Sequence, residues 1–238
     1  MKANLADLES LLRTRKLDGT IASALPLPVD RVAHTGLDRL DEQLNGGLPR
    51  GHLSEIIGPR SSGRASVLCA LLAAATRRGE VVALIDTFDS FDPVSGEAAG
   101  VDLGRVLWIR GQQVMHRHAP QVLERAIKAT ALVCQAGQFG MVAVDMADAS
   151  PSAIQRFPLT TWLRLARALE GSETVGVLVG PTTMGRSSAG RSIVLTPATH
   201  ALGWSNCLEF DVQVRSTRHV STDFRLQAKR DAEEHSAH

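Results

Sequence analysis

The sequence predicts an α/β domain on a doubly wound, mainly parallel sheet, with helices on both faces and antiparallel strands at the C-terminal end. Two observations carry this expectation. From Leu53 onward, short apolar runs alternate with segments of helical periodicity, which is the mark of parallel strands buried on both faces. Beyond residue 190, three apolar-rich segments follow one another with partial period-two alternation and no helical pattern between them, as suits antiparallel strands. At 238 residues, the chain has room for one principal core.

Taken in order, residues 4–16 place Leu5, Leu8, Leu11 and Leu12 on one helical face with charges opposite, an amphipathic helix in need of a surface to cover. The stretch DGTIASALPLPVD is short, Pro-bearing and extended, a linker able to carry one strand. Residues 1–34 therefore read as an interaction arm, 35–228 as the core domain and 229–238 as a frayed polar tail. Thr35-Gly-Leu-Asp38 reads as a capping box for a helix with Leu37, Leu40 and Leu44 inward, ended by Asn45-Gly46-Gly47. The core strands are LSEII, VVALID, VLWI, MVAVD and VGVLVG, with helices over 63–78, 120–135 and 159–170. RSIVLT, CLEFDVQVRS and TDFRLQAK are the antiparallel strands.

Composition excludes several classes. The 26 Lys and Arg nearly balance the 25 Asp and Glu, so the molecule as a whole has no field that draws it onto nucleic acid or a membrane, and any basic surface must be local. No apolar run approaches the length of a membrane span and no signal peptide opens the chain, so a soluble cytoplasmic protein is expected. Cys69, Cys134 and Cys207 lie far apart in apolar segments and read as buried thiols. His116 and His118 lack a third ligand nearby and read as a surface turn; Trp162 and Trp204 read as core residues.

The loop Gly58-Pro-Arg-Ser61-Ser62-Gly63-Arg64-Ala65-Ser66 lies between a predicted strand and a predicted helix, the setting of the phosphate-binding pattern G-x-x-x-x-G-K-[ST]. Two positions depart from it. Arg64 replaces a compact ammonium by a longer, forked guanidinium, and Ala65 brings no hydroxyl for Mg²⁺, which Ser66 next door supplies only imperfectly. The backbone keeps its character, because Gly58 and Gly63 permit the turn and amides at a helix start favour an anion. A turn retained only for packing is the alternative. Productive ATP hydrolysis is not expected; no cofactor is required, and ATP with Mg²⁺ would bind weakly.

The segment TGLDRLDEQLNGGLPRGHLSEIIGPRSSGRAS resembles the RecA family from its first core helix through its GPESSGKT loop. LIDTFDSFDP resembles that family's FIDAEHALDP, AGVDLGRVLWIR its GVDIDNLL, MVAVDMADA its Walker B strand, and HALGWSNCLEFDVQVR its NALKFYASVRLDIR. The motifs recur in order over about residues 35–228 and imply a RecA-like fold. By the same resemblance, the glutamate that activates the attacking water falls on Phe88 and the adenine-stacking tyrosine on Ser95. The glutamine that senses the γ-phosphate falls on Val179 or Gly180. Asp145 matches the Walker B carboxylate, although an Asp ending a strand also serves as a cap or loop anchor. A shorter RecA relative with these losses is similar to the ImuA family, RecA-like accessory proteins of SOS mutagenesis and translesion DNA synthesis. That similarity implies RecA, an ImuB-type inactive Y-family polymerase relative and an error-prone replicative-type polymerase as partners, at the nucleoid.

RecA-like proteins bind single-stranded DNA through two loops. Here residues 146–158 offer Arg156 alone, whereas GPTTMGRSSAGRS carries Arg186 and Arg191 on a flexible backbone suited to sequence-tolerant phosphate contact. Lys229 and Arg230, with Arg215 and Arg218, would extend a basic strip; solvated surface charge is the alternative for each. The arm resembles the RecA segment that packs on a neighbouring protomer. Leu5, Leu8 and Leu12 would dock, and Ile21 and Leu25 would anchor an added strand, giving a homo-oligomer or a contact with RecA. The arm folding back on its own core is the alternative.

The expectation is thus a catalytically inactive RecA-like accessory factor acting through DNA and protein contacts. Two rivals stand beside it: a slow DNA-dependent ATPase using Arg64 and Ser66, and a pure protein-interaction module such as a RecA modulator or cell-division inhibitor.

Overall fold

A computed structural model describes residues 31–112, 119–186, 188–197, 207–215 and 224–229. The chain enters through a two-stranded antiparallel sheet, β1 (Val32–Ala33) with β2 (Leu48–Pro49), which brackets helix α1 (Asp38–Leu44). The capping box differs from expectation. Leu37 is the N-cap, and Thr35 stands outside the helix, its Oγ1 accepting from the Leu37 N–H while its own N–H donates to Asp41 Oδ1 at 2.8 Å. Asp41, three residues beyond the expected box partner Asp38, does that work instead. The predicted stop holds: Asn45 is left-handed at φ 58°, and the Gly46 N–H reaches back to the Asp41 carbonyl.

The main sheet is made of β3 (Leu53–Ile57), β4 (Val82–Asp86), β5 (Val106–Arg110), β6 (Met141–Asp145), β7 (Val175–Gly180), β8 (Ser192–Pro197), β9 (Cys207–Arg215) and β10 (Phe224–Lys229). Their order is β10-β9-β8-β3-β7-β6-β4-β5. Helices α2 (Arg64–Arg77), α4 (Ala119–Ala136) and α6 (Leu159–Leu169) match the predicted helices within a residue or so, joined by two short ones, α3 (Pro93–Ala98) and α5 (Pro151–Gln155). The short ones escape periodicity because they hold too few turns. Their signals are Asp92-Pro93 and Ser150-Pro151, a capping side chain followed by a proline preset for the first helical position.

Alternation along the strands builds two cores. Met141 and Ala143 of β6 join Val67, Leu68, Leu71 and Leu72 of α2. Val142 and Val144 point the other way, to Leu123 and Ala126 of α4 and to Trp162, Leu165 and Leu169 of α6. Every residue of β3, β4, β6 and β7 is buried, as strands covered on both faces require. The fold is RecA-like α/β, with antiparallel pairing of β8 with β9 and of β9 with β10.

One strand corrects the reading: β8 also pairs parallel with β3, so it is the sixth parallel strand as well as the start of the antiparallel ladder. Its crossover from β7 passes β3 through residues 181–191, with no helix among the described residues. Side chains of β3 hold that crossover directly. No described helix is long and apolar enough to cross a membrane.

Candidate phosphate cradle and crossover loop

The loop 58–66 leaves the C-terminal end of β3 and opens α2, at one side of a cleft of about 340 Å³ lined by Arg60, Arg64, Phe91, Ser95, Asp145 and Asp148. A larger hollow, about 690 Å³, borders β8, β9 and β10 among Thr196, Gln213 and Arg225, away from these groups. Both loop glycines are required by their surroundings. Gly63 caps α2 at φ 88°, and a Cβ there would lie 2.6 Å from the Phe210 ring; one on Gly58 would collide with Ser62 and the Leu195 carbonyl. Ser61 takes the left-handed region at φ 59° without being glycine.

Arg64 is the first residue of α2 and only 6% exposed. Its Nη1 is enclosed without an acceptor, and no ion pair joins it to a described residue. Burial lowers its pKa below the usual arginine value, against the pull of Asp145 and Asp148. Ser62 is 1% exposed, and among the described residues its Oγ also has no partner. Ala65 is exposed and Ser66 half-buried. At the mouth, Arg60 pairs with Asp148 at 3.6 Å.

Asp145 ends β6, 8% exposed, with Oδ1 accepting from the Ala147 N–H at 2.8 Å. Burial, assisted by Asp86, pushes its carboxyl up to about 6. Asp86 faces it across the β4–β6 register and shapes the next turn, accepting from the Ser90 N–H (2.9 Å), the Phe91 N–H (3.0 Å) and Trp108 Nε1 (3.2 Å). Phe88 packs against the second core. Ser95 is exposed and hydrogen-bonds through its Oγ to Asp92. Val179 is buried, and a side chain on Gly180 would press on Met184.

Sequence reasoning missed Glu55. It is fully buried in β3, its Oε2 accepting from the Met184 N–H at 2.9 Å and its Oε1 from the Ser192 hydroxyl at 2.6 Å, so it clasps both ends of the crossover. The signal was available, since a glutamate inside LSEII is out of place without partners. The neighbouring Ser54 Oγ accepts from the Arg191 N–H at 3.1 Å.

The structure brings Arg186 and Arg191 into this one loop, both half-buried. Arg186 Nε is enclosed without a partner among the described residues, while Arg191 Nη1 donates to the Ala189 carbonyl at 2.7 Å. Burial first, and then Arg186, lowers the Arg191 pKa below the usual arginine value. Arg156 is exposed at the end of α5. Arg215 is exposed and bonded to Gln213. Lys229 ends β10, its side chain outside the described residues, as are Arg230, Arg218, His116, His118, Trp204 and the arm residues Leu5, Leu8, Leu12, Ile21 and Leu25. Trp162 is core, and the Cys69 and Cys134 thiols are half-buried and pushed up to about 11 by burial. Among the described residues, no three His, Cys, Asp or Glu side chains gather as a metal site.

Comparison with known proteins bears on the cradle, Asp145 and the strands around them. The RecA N-terminal domain profile matches residues 25–154. The chain is 36% identical to Protein RecA of Symbiobacterium thermophilum over 115 residues, 48% of this chain and 30% of that one. It is 33% identical to Protein RecA of Synechocystis sp. over 112 residues, 47% of this chain and 31% of the other. With Protein RecA of Psychrobacter cryohalolentis it shares 32% over 146 residues, 61% and 39% respectively. The aligned stretches thus span about a third of these relatives' length.

Proposed function

The chain belongs to the RecA N-terminal domain family, a DNA-repair-related RecA homologue, and from that premise we propose a catalytically inactive accessory factor that works by contact. The observation that carries the reading is Phe88. By resemblance it stands where a glutamate would activate the attacking water, and its ring packs into the second core, where it accepts no proton. Other losses support it. Ala65 offers no hydroxyl to a metal, and Ser95, bonded to Asp92, offers no ring to a base. A nucleotide with Mg²⁺ therefore does not fit the residues present.

In this reading, function lies in the crossover loop and the arm. Arg186 and Arg191 contact the backbone of single-stranded DNA, with Arg156 and the Lys229–Arg230 end of β10 extending the contact. Residues 1–34 meet a protein partner. The partners expected are RecA, an ImuB-type polymerase relative and an error-prone polymerase in SOS translesion synthesis.

ATP turnover, measured with and without single-stranded DNA, is expected to stay at the background of the Asp145→Asn variant. A DNA-stimulated rate lost in Asp145→Asn would instead establish the slow ATPase. In parallel, the double change Arg186→Ala, Arg191→Ala is expected to weaken single-stranded DNA binding at least tenfold. Absence of DNA binding by the unaltered protein would favour a pure protein-interaction module.

A further inference from the structure

We propose that the exposed leucine face of α6 is the docking surface for this chain's own amino-terminal segment, residues 4–16, which lies along it as a helix in the free protein. The proposal deepens the reading above, which gives the arm a protein partner, and rests on it only for the consequence at the crossover.

The argument begins with an apolar face in water. Leu159 and Leu163 stand one turn apart on α6 and are 64% and 43% exposed, while Trp162, Leu165, Ala166 and Leu169 fill its inner side. An aligned apolar pair of this kind is where an amphipathic helix packs. Cations border it. Arg164 and Arg167 are exposed on α6, Arg156 is exposed three residues before it, and the first turn holds no acid. Acids stand only at the far end, where Glu170 and Glu173 are both exposed.

Residues 4–16 carry the complementary pattern. Leu5, Leu8, Leu11 and Leu12 form its apolar face, Asp7 and Glu9 lie in its first half, and Arg13, Arg15 and Lys16 close it. Set parallel to α6, the segment lays its acids beside Arg164 and its cations beside Glu170 and Glu173, so opposite charges meet along both halves. The lengths agree as well. As a helix, 13 residues rise about 20 Å and the 11 of α6 about 16 Å.

The place where the arm leaves the core selects this helix. The Arg31 carbonyl accepts from the Arg50 N–H at 2.9 Å, and a Cβ on the adjoining Gly51 would lie 2.9 Å from the Ser172 carbonyl and 3.4 Å from that of Leu169. The described chain thus begins at the C-terminal end of α6, beside the acids. Parallel docking brings Lys16 to that same end, and the 14 residues from 17 to 30 reach roughly 46 Å when extended, more than the closure requires. Because both surfaces belong to one chain, their effective concentration is on the order of millimolar, which favours this chain's own arm over that of a second copy.

The crossover 181–191 passes the same helix, since a Cβ on Gly185 would collide with Trp162. The docked arm therefore lies beside the loop that carries Arg186 and Arg191, and a partner that takes the arm uncovers that loop.

The test is photo-cross-linking of the full chain with p-benzoylphenylalanine in place of Leu163, in an equal mixture of isotope-labelled and unlabelled protein, the products being located by mass spectrometry. Cross-links to residues 1–16 are expected within single chains. Their yield should fall at least fivefold in the double change Leu8→Asp, Leu12→Asp, and a probe in place of Leu132, an exposed leucine of α4, should give no more than a fifth of it. Should the probe at 163 impair folding, the same probe in place of the more exposed Leu159 decides the matter. The proposal is overturned by absence of cross-links to residues 1–16, by cross-links that join labelled to unlabelled chains, which would assign the face to a second copy, by equal yield from position 132, or by a yield that survives the double change. The readout involves no DNA, nucleotide or partner protein, so it can fail while the reading above stands, and the reverse.

Discussion

Asp145 is the residue whose chemistry the fold changes most. Enclosed at the end of β6 beside Asp86, it holds its proton up to about pH 6, against an ordinary value of 3.8. The folded state therefore binds this proton more tightly than the unfolded chain. The stability it contributes is complete below about pH 4 and is lost as the pH rises through 6, an effect of about 3 kcal/mol at roughly 1.4 kcal/mol per pH unit. Asp145→Asn should remove that loss. Urea unfolding at pH 4.5 and pH 7 should show the unaltered protein losing stability relative to the variant; parallel pH curves would refute it. At this scale the sequence located Asp145 and Arg64 from a motif, but motif spacing says nothing about enclosure. Whether a guanidinium finds an acceptor depends on what the rest of the chain packs around it.

Among the elements, the crossover 181–191 depends on Glu55, which holds it at Met184 and Ser192. Glu55→Ala strands a buried N–H and a buried hydroxyl, each costing about 1 to 3 kcal/mol. Glu55→Gln keeps the side chain's length and an acceptor oxygen. Hydrogen exchange at the Met184 amide should accelerate strongly in Glu55→Ala and less in Glu55→Gln, with the same order in urea melts. Unchanged exchange would show that the clasp does not hold the loop. The elements themselves were largely legible, because strands buried on both faces read as unbroken apolar runs and longer helices repeat every three to four residues. What escaped had no period to show. The helices α3 and α5 are marked only by a cap and a proline, and the direction of β8 depends on which neighbour it meets.

For the whole molecule, a net charge of +1 leaves the proposed DNA binding to a few local cations. With Arg156, Arg186 and Arg191 as the contacts, the logarithm of affinity for single-stranded DNA should fall against the logarithm of salt with a slope of about −2. A slope steeper than about −4, measured by fluorescence anisotropy from 50 to 300 mM NaCl, would place the contact on other cations. By itself the sequence determined the fold class, the strands and main helices, the place of the cradle and its departures from a phosphate-binding loop, because these are local patterns of polarity and chain conformation. Only the tertiary structure decided that β8 runs parallel to β3, that Glu55 clasps the crossover and that Arg64 Nη1 is enclosed without an acceptor among the described residues. Those facts depend on which distant segments share one interior, where an unpaired polar group has no water to turn to.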